Sequence, residues 1–199
     1  MSRHALIVVD MIIDNVNTEG HGMIDVEAKK IIPKILELTG AFRHTGNPVV
    51  FACDSFMQGD FIFSGRMPPH AIRGTGGDHP LPELRMQPTD LYLPKRRMSS
   101  FYKTDLDQTL RLWGVDTVVV CGIVTNVCVL LTALDAIQND FMAVIASDAS
   151  ACHKPELHNA TLKLYESFLL LGLFRIMTAA EIAEELEREA GNGLSGEFP

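Results

Sequence analysis

The chain alternates short uninterrupted apolar runs with segments whose apolar residues recur every three to four positions. Ala5–Val9 (ALIVV) precedes a helical pattern from Val26 to about His44, and Pro48–Cys53 (PVVFAC) follows it. This order predicts strand, helix, strand. The series continues with DLYLP near Leu91, a helix from about Leu106 to Trp113, VVVCG from Val118 and a helix from about Asn126. FMAVIAS from Phe141, a helix from about Pro155 and LFRIM from Leu173 complete it. Strands that are apolar throughout are buried on both faces, and helices between them make neighbouring strands parallel with right-handed crossovers. The expected fold is a three-layer α/β sandwich, Rossmann-like, with about six parallel strands flanked by helices. Pro155 suits a first helical turn, and Thr178-Ala-Ala-Glu181 has capping-box spacing for a last helix running to about Ala190. Residues 1–190 are thus expected to form a single domain, and residues 191–199 a disordered tail. From Asp54 to Pro88 no periodic element is legible, and a loop of that length inside a compact domain is usually functional or disordered.

Composition narrows the partner. The 199 residues carry 17 Lys and Arg against 25 Asp and Glu, a net charge of −8. Nucleic acid and anionic lipid both demand clustered cations, so the expected partner is a small molecule or another copy of the chain, and neither nucleic acid nor membrane. No charged residue lies between Asp116 and Asp135. That run falls short of the ~20 apolar residues of a membrane span, and Asp10 arrives before any signal-peptide core has formed. A cytoplasmic protein is expected. Cys53, Cys121, Cys128 and Cys152 have neither zinc-ribbon nor C-x-x-C spacing, so they read as reduced thiols.

Ligands of open parallel sheets bind beyond the carboxyl ends of the strands. Three residues with chemistry stand there: Asp10 after ALIVV, Lys95 after LYLP, and Cys128 where VVVCGIVTN turns into the next helix. A thiol near a helix N-terminus and a lysine is expected to have a depressed pKa, and a carboxylate can take its proton. Thiol, base and cation are the parts of an activated nucleophile, and the turn before Cys128 offers N–H groups for an oxyanion. Each residue also has an inert reading: a helix cap for Asp10, a solvated basic face for Lys95 within KRR, a small buried hydrophobe for Cys128. Cys121 and Trp113 read as core. Cys152-His153 with His158 reads as the start of a surface helix, and Gly74–Gly77 lacks the strand-to-helix setting of a phosphate loop.

The stretches VVDMIID, LPKRRMSSFYKTDL and CGIVTNVCVLLTALDA together resemble the isochorismatase-like cysteine hydrolases, the superfamily of nicotinamidases, N-carbamoylsarcosine amidases and ureidoacrylate amidohydrolases. The resemblance runs from Ala5 to about Met177. It implies a six-stranded parallel sheet and a Cys-Asp-Lys triad. Cys128 would attack an amide or ureido carbonyl, Asp10 would carry the proton to departing ammonia, and Lys95 would hold them in register until water hydrolyses the thioester. It also implies a cis peptide between Ile123 and Val124 that aims the amides of Val124 and Cys128 at the oxyanion. The presence of Cys128 favours the amidase branches over isochorismate hydrolysis, which needs no acyl intermediate. The resemblance also implies assembly as a homodimer or homotetramer.

The sequence also departs from the nicotinamidase pattern. Of that branch's metal ligands Asp54 and His70 are retained, but the middle one is replaced by Phe56. No cofactor is expected to be required. An incomplete site for a divalent ion such as zinc remains, with Asp60 as a candidate third ligand. Asn15 and Met67 stand where that branch carries aromatic residues flanking its substrate ring. Nicotinamide is accordingly the second reading, behind a small amide or a carbamoyl or ureido compound, and a catalytically idle scaffold is the alternative from another class. The expected substrate contacts are Asn15, Phe56, Met67, Arg96 and Thr125, with Arg66, Arg73, Arg96 or Arg97 available to pair with a carboxylate. Phe61 and Phe63 are expected either to form an apolar lid or to pack against a second subunit.

Overall fold

The computed structural model describes residues 2–16, 24–167 and 172–194. Its centre is a six-stranded parallel sheet in the order β3-β2-β1-β4-β5-β6, comprising β1 (His4–Val9), β2 (Val49–Asp54), β3 (Leu91–Lys95), β4 (Thr117–Ile123), β5 (Met142–Ala151) and β6 (Phe174–Met177). The central strands β1 and β4 are buried at every residue, which is why they are apolar throughout rather than alternating. Successive side chains on a strand face opposite layers. Leu6, Val8, Phe51, Val119 and Cys121 pack on one side with α2 (Ile24–His44) and α6 (Ala179–Leu194). Ile7, Val9, Val50, Val118 and Val120 pack on the other with α3 (Leu106–Leu112) and α4 (Leu130–Gln138), and α5 (Pro155–Glu166) adds Leu162 and Tyr165 there. This is the expected three-layer sandwich.

Helix positions follow the apolar period. In α2 the buried Ala28, Ile31, Ile35, Leu38 and Phe42 recur at steps of three and four, forming one stripe toward the sheet. At the start of α6 the capping box forms: Thr178 Oγ1 accepts from the Glu181 amide at 3.3 Å, and Glu181 Oε2 accepts from the Thr178 amide at 2.8 Å. The helix continues to Leu194, past the expected end near Ala190, so residues 191–194 are helical rather than a tail, and residues 195–199 lie outside the described residues. The Asp54–Pro88 segment also differs from expectation. It contains 3₁₀ turns at Phe61–Ser64 and Pro82–Leu84 and bridges at Ile12–Pro80 and Phe56–Ile72. These turns are too short to carry a period, so the sequence pattern missed them.

Chain order reverses across the sheet between β1 and β4, the point at which adjacent crossovers go to opposite faces and leave a crevice. Gly122 sits on this border with φ +107°, opposite Val9. A Cβ at this position would lie 2.2 Å from the Val9 carbonyl oxygen, so only glycine lets the two strands close here. No helix among the described residues is long and apolar enough to cross a membrane.

Candidate active site

Asp10 is the first residue beyond β1 and adopts φ 55°, a left-handed conformation that Asp tolerates better than most residues. Its amide donates to Ala52 O at 2.9 Å, while its Oδ1 accepts from the Asp54 amide at 2.8 Å. Lys95 ends β3, two strands away, in register with Asp54 at the end of β2. Its fully buried side chain runs across these strand ends, and Nζ donates to Asp10 Oδ2 at 2.8 Å, Asp54 Oδ1 at 2.5 Å and Arg97 O at 3.2 Å. All three ammonium donors are thereby occupied. From the other side of the crevice comes Cys128, carried on a π-helical turn, Thr125–Val129, that leads into α4. The thiol faces this pair, with carboxylate oxygens of Asp10 and Asp54 and Cys128 Sγ all within 4.8 Å of one another.

The cluster is electrostatically asymmetric. Burial, reinforced by the Asp54 carboxylate, pushes the Asp10 carboxyl up to about 7 despite the opposing pull of Lys95. Burial alone would lower the Lys95 ammonium, but Asp10 and Asp54 outweigh it and hold that group well above its usual value. The Cys128 thiol is also pushed well up, by burial first and by the two carboxylates, against the pull of Lys95. This corrects the expectation of a depressed thiol pKa: the lysine charge is already shared between two carboxylates. Cys128 is a thiol at rest, next to a carboxylate made unusually basic.

The Ile123–Val124 peptide, just before the π turn, is cis, and Val124 is extended with φ −93° and ψ 143°. The first turn of the helix has no side-chain cap, so no side chain competes with a ligand there. Above Cys128 opens a cavity of about 460 Å³ whose lining includes Asp10, Asp54, Ile123, Val124, Val127 and Cys128. Its outer wall is mostly apolar, with Ile24, Phe56, Ile62, Met67 and Met98 beside Asn15, His70, Arg97 and His153. Phe56, Phe63 and His70 support the wall as a mutually edge-on trio with centroids 5.3 to 5.8 Å apart.

Of the expected substrate contacts, Asn15, Phe56 and Met67 line this cavity. Asn15 Nδ2 donates to Asp10 O at 3.0 Å. Arg96 and Thr125 do not line it. Arg96 turns outward to a separate cleft and pairs with Asp60, and Thr125 is buried with its hydroxyl 2.8 Å from His158 Nδ1. Neither orientation is legible in the sequence, because each depends on a partner far along the chain. Of the four arginines considered, Arg97 reaches the cavity. In the 61–64 turn Ile62 faces the cavity and Phe61 is 77% exposed. Asp54, expected as a metal ligand, lines the cavity, and so does His153, which the sequence places at the start of a surface helix and not in the site.

The metal ligand set does not fit an ion. Asp54 Oδ1 is engaged by Lys95, and Asp60, the candidate third ligand, is held by Arg96 at 2.7 Å and Arg97 at 3.1 Å. The Phe56 ring packs edge-on against His70 where a further ligand would be needed. Among the described residues, the ligand group that forms here is Asp10, Asp54 and Cys128, without His70.

The Isochorismatase domain model matches residues 4–181. The structure of an isochorismatase-like hydrolase from Alkaliphilus metalliredigens superposes with a TM-score of 0.82 at 32% identity, covering 92% of this chain and 99% of that one. N-carbamoylsarcosine amidase from Thermoplasma acidophilum gives 0.75 at 29% identity, covering 89% and 96%. Ureidoacrylate amidohydrolase RutB of Stutzerimonas stutzeri is 32% identical over 194 residues, 84% of this chain and 77% of its own. With nearly the whole domain matched and the same parallel sheet, the chain belongs to the isochorismatase family of hydrolases.

Proposed function

We propose that the protein is a cysteine amidohydrolase that cleaves the C–N bond of a small primary amide, or of a carbamoyl or ureido compound, and releases ammonia. The observation that carries this reading is the buried Lys95–Asp10 ion pair with the Cys128 thiol beside it, Sγ within 4.8 Å of the carboxylate oxygens and lining the cavity. Asp10 takes the thiol proton as Sγ attacks the carbonyl carbon, so the thiolate need exist only in the transition state. The amides of Val124 and Cys128 stabilise the oxyanion. Collapse of the tetrahedral intermediate transfers the Asp10 proton to the leaving nitrogen, leaving a thioester. Water, deprotonated by the same carboxylate, then releases the acid. Lys95 stays charged throughout and limits the cost of the negative charge that returns to Asp10 beside Asp54.

The apolar wall, with Asn15 and Arg97 as polar contacts, suits a compact substrate with an apolar body next to its amide. RutB and N-carbamoylsarcosine amidase, named for ureido and carbamoyl substrates, support that bond class. The test is ammonia release from nicotinamide, N-carbamoyl amino acids, ureidoacrylate and simple aliphatic amides, run beside Cys128→Ala. Release by the native protein that vanishes in the variant is expected. Release that survives Cys128→Ala would exclude the thiol as nucleophile, and silence from a folded protein across the panel would remove this substrate class.

A further inference from the structure

A second cavity, of about 410 Å³, lies on the far side of Arg97 from the catalytic pocket. It is lined by Arg73, Arg96, Arg97 and Lys103, with the hydroxyl-bearing Tyr102 and Thr104 and Pro94 completing it. Among the described residues, four cations and no carboxylate form this lining, in a chain whose net charge is −8. Like charges do not gather on an acidic protein without cost, so a cleft lined by one sign is an electrostatic trap for the opposite sign. The cations are also spaced by structure. Arg73 is fixed by donating Nε to Ser55 Oγ at 3.0 Å, and Arg96 and Arg97 are both anchored on the buried Asp60. Anchored guanidiniums lose little freedom on binding, and the N–H donors that Asp60 and Ser55 leave unused can reach the oxygens of phosphate. The single Asp60 charge cannot neutralise the set.

We propose that this cleft binds a small phosphate-bearing anion, and that the anion regulates the neighbouring pocket. Arg97 belongs to both cavities. Asp60, which holds Arg96 and Arg97, also caps the 61–64 turn by accepting from the Ile62 amide at 3.5 Å, and Ile62 lines the catalytic pocket. An anion that draws the guanidiniums toward the cleft therefore acts on Asp60, the turn and the pocket wall. Binding here must then change the affinity for substrate, and substrate must change the affinity for the anion by the same factor.

The test is calorimetric titration of the full chain with inorganic pyrophosphate and, separately, with a sugar phosphate, at constant ionic strength set by chloride. Succinate serves as a carboxylate control. Saturable binding of at least one phosphate compound is expected, weakened tenfold or more in Lys103→Gln and in Arg96→Gln and unchanged in Cys128→Ala. The tighter of the two phosphate ligands identifies whether an inorganic or an ester phosphate is preferred. Absence of saturable heat, equal binding in the two charge variants, or succinate binding as tightly as phosphate would overturn the assignment. Loss of binding in Cys128→Ala would place the anion in the catalytic pocket instead. Lys103 is exposed with its ammonium 5.5 Å from the Tyr102 ring centroid, outside the catalytic machinery, so Lys103→Gln is expected to fold and to keep its basal rate. Rate measurements on any turned-over amide then test the coupling: the ligand should shift KM in the native protein and not in Lys103→Gln. A KM unmoved by saturating ligand would refute the regulatory role. The binding measurements need no knowledge of the amide substrate, so they stand or fall apart from the hydrolase reading.

Discussion

At Asp10, burial and a neighbouring carboxylate compete with a lysine, and the balance leaves the group about as basic as a histidine. A general base that titrates near 7 is half ionised at neutral pH, close to the optimum for proton transfer. The logarithm of kcat/KM is therefore expected to rise with unit slope as pH increases toward about 7 and then to level off, and a profile already flat at pH 5 would contradict the role. Asp10→Asn should abolish turnover while leaving Cys128 in place. Lys95 is the more dangerous residue to remove. Without it, the buried Asp10 carboxylate and the partly buried Asp54 carboxylate lose the cation they share, and loss of one partner in such a cluster typically costs about 3–5 kcal/mol. Lys95→Met is expected to lose both activity and that much stability in urea unfolding. Sequence reasoning reached Asp10, Lys95 and Cys128 because strand-end position alone suggests them. It did not reach the contact of Asp54 with Lys95, which depends on the two meeting across neighbouring strands.

Elements deliver these residues to one place. The strand pair β1 and β4 carries Asp10 and the turn before Cys128, and Gly122 sets how closely their ends approach. Gly122→Ala is expected to destabilise the protein by about 3 kcal/mol or more, because the added Cβ meets the Val9 backbone and the residue must keep a positive φ. It should also lower kcat, since the displaced strands hold both halves of the thiol–carboxylate contact. By contrast, Thr178→Ala removes only the capping box of α6, beyond the edge strand β6, and should cost about 1 kcal/mol with kcat unchanged. The two variants separate stability from site geometry. The strands and longer helices were legible because runs of Val and Ile and 3–4 spacings persist over whole elements. The 61–64 and 82–84 turns were not, since three or four residues cannot display a period and are fixed by contacts elsewhere.

For the whole molecule, the raised Asp10 carboxyl is expected to make stability and activity respond oppositely to pH. The folded state binds its proton up to about 7, whereas the unfolded chain releases it near 3.9. Between these values the folded form holds more protons, so this group's contribution to stability falls as pH rises. At about 1.4 kcal/mol per unit the effect amounts to several kcal/mol across the window. Asp10→Asn should flatten that slope and exceed the native protein in stability near pH 8, measured as urea midpoints across pH. The commitment of Asp54 to Lys95 and of Asp60 to Arg96 and Arg97 also has a global consequence. Ammonia release is expected to be unchanged by EDTA, and a loss restored by zinc would show that the ligand set reassembles.

The sequence by itself determined the parallel sheet, its layers, and the three residues at strand ends. These follow from local period and from the general rule that such sheets bind ligands at their carboxyl edge. Tertiary structure alone decided which charges meet. It assigned Asp54 to the lysine rather than to a metal, turned Arg96 away from the pocket and Arg97 into it, and buried Thr125 against His158. The physical reason is range: burial patterns are written into neighbouring residues, whereas a pKa or an ion pair depends on groups that only folding brings within a few ångströms.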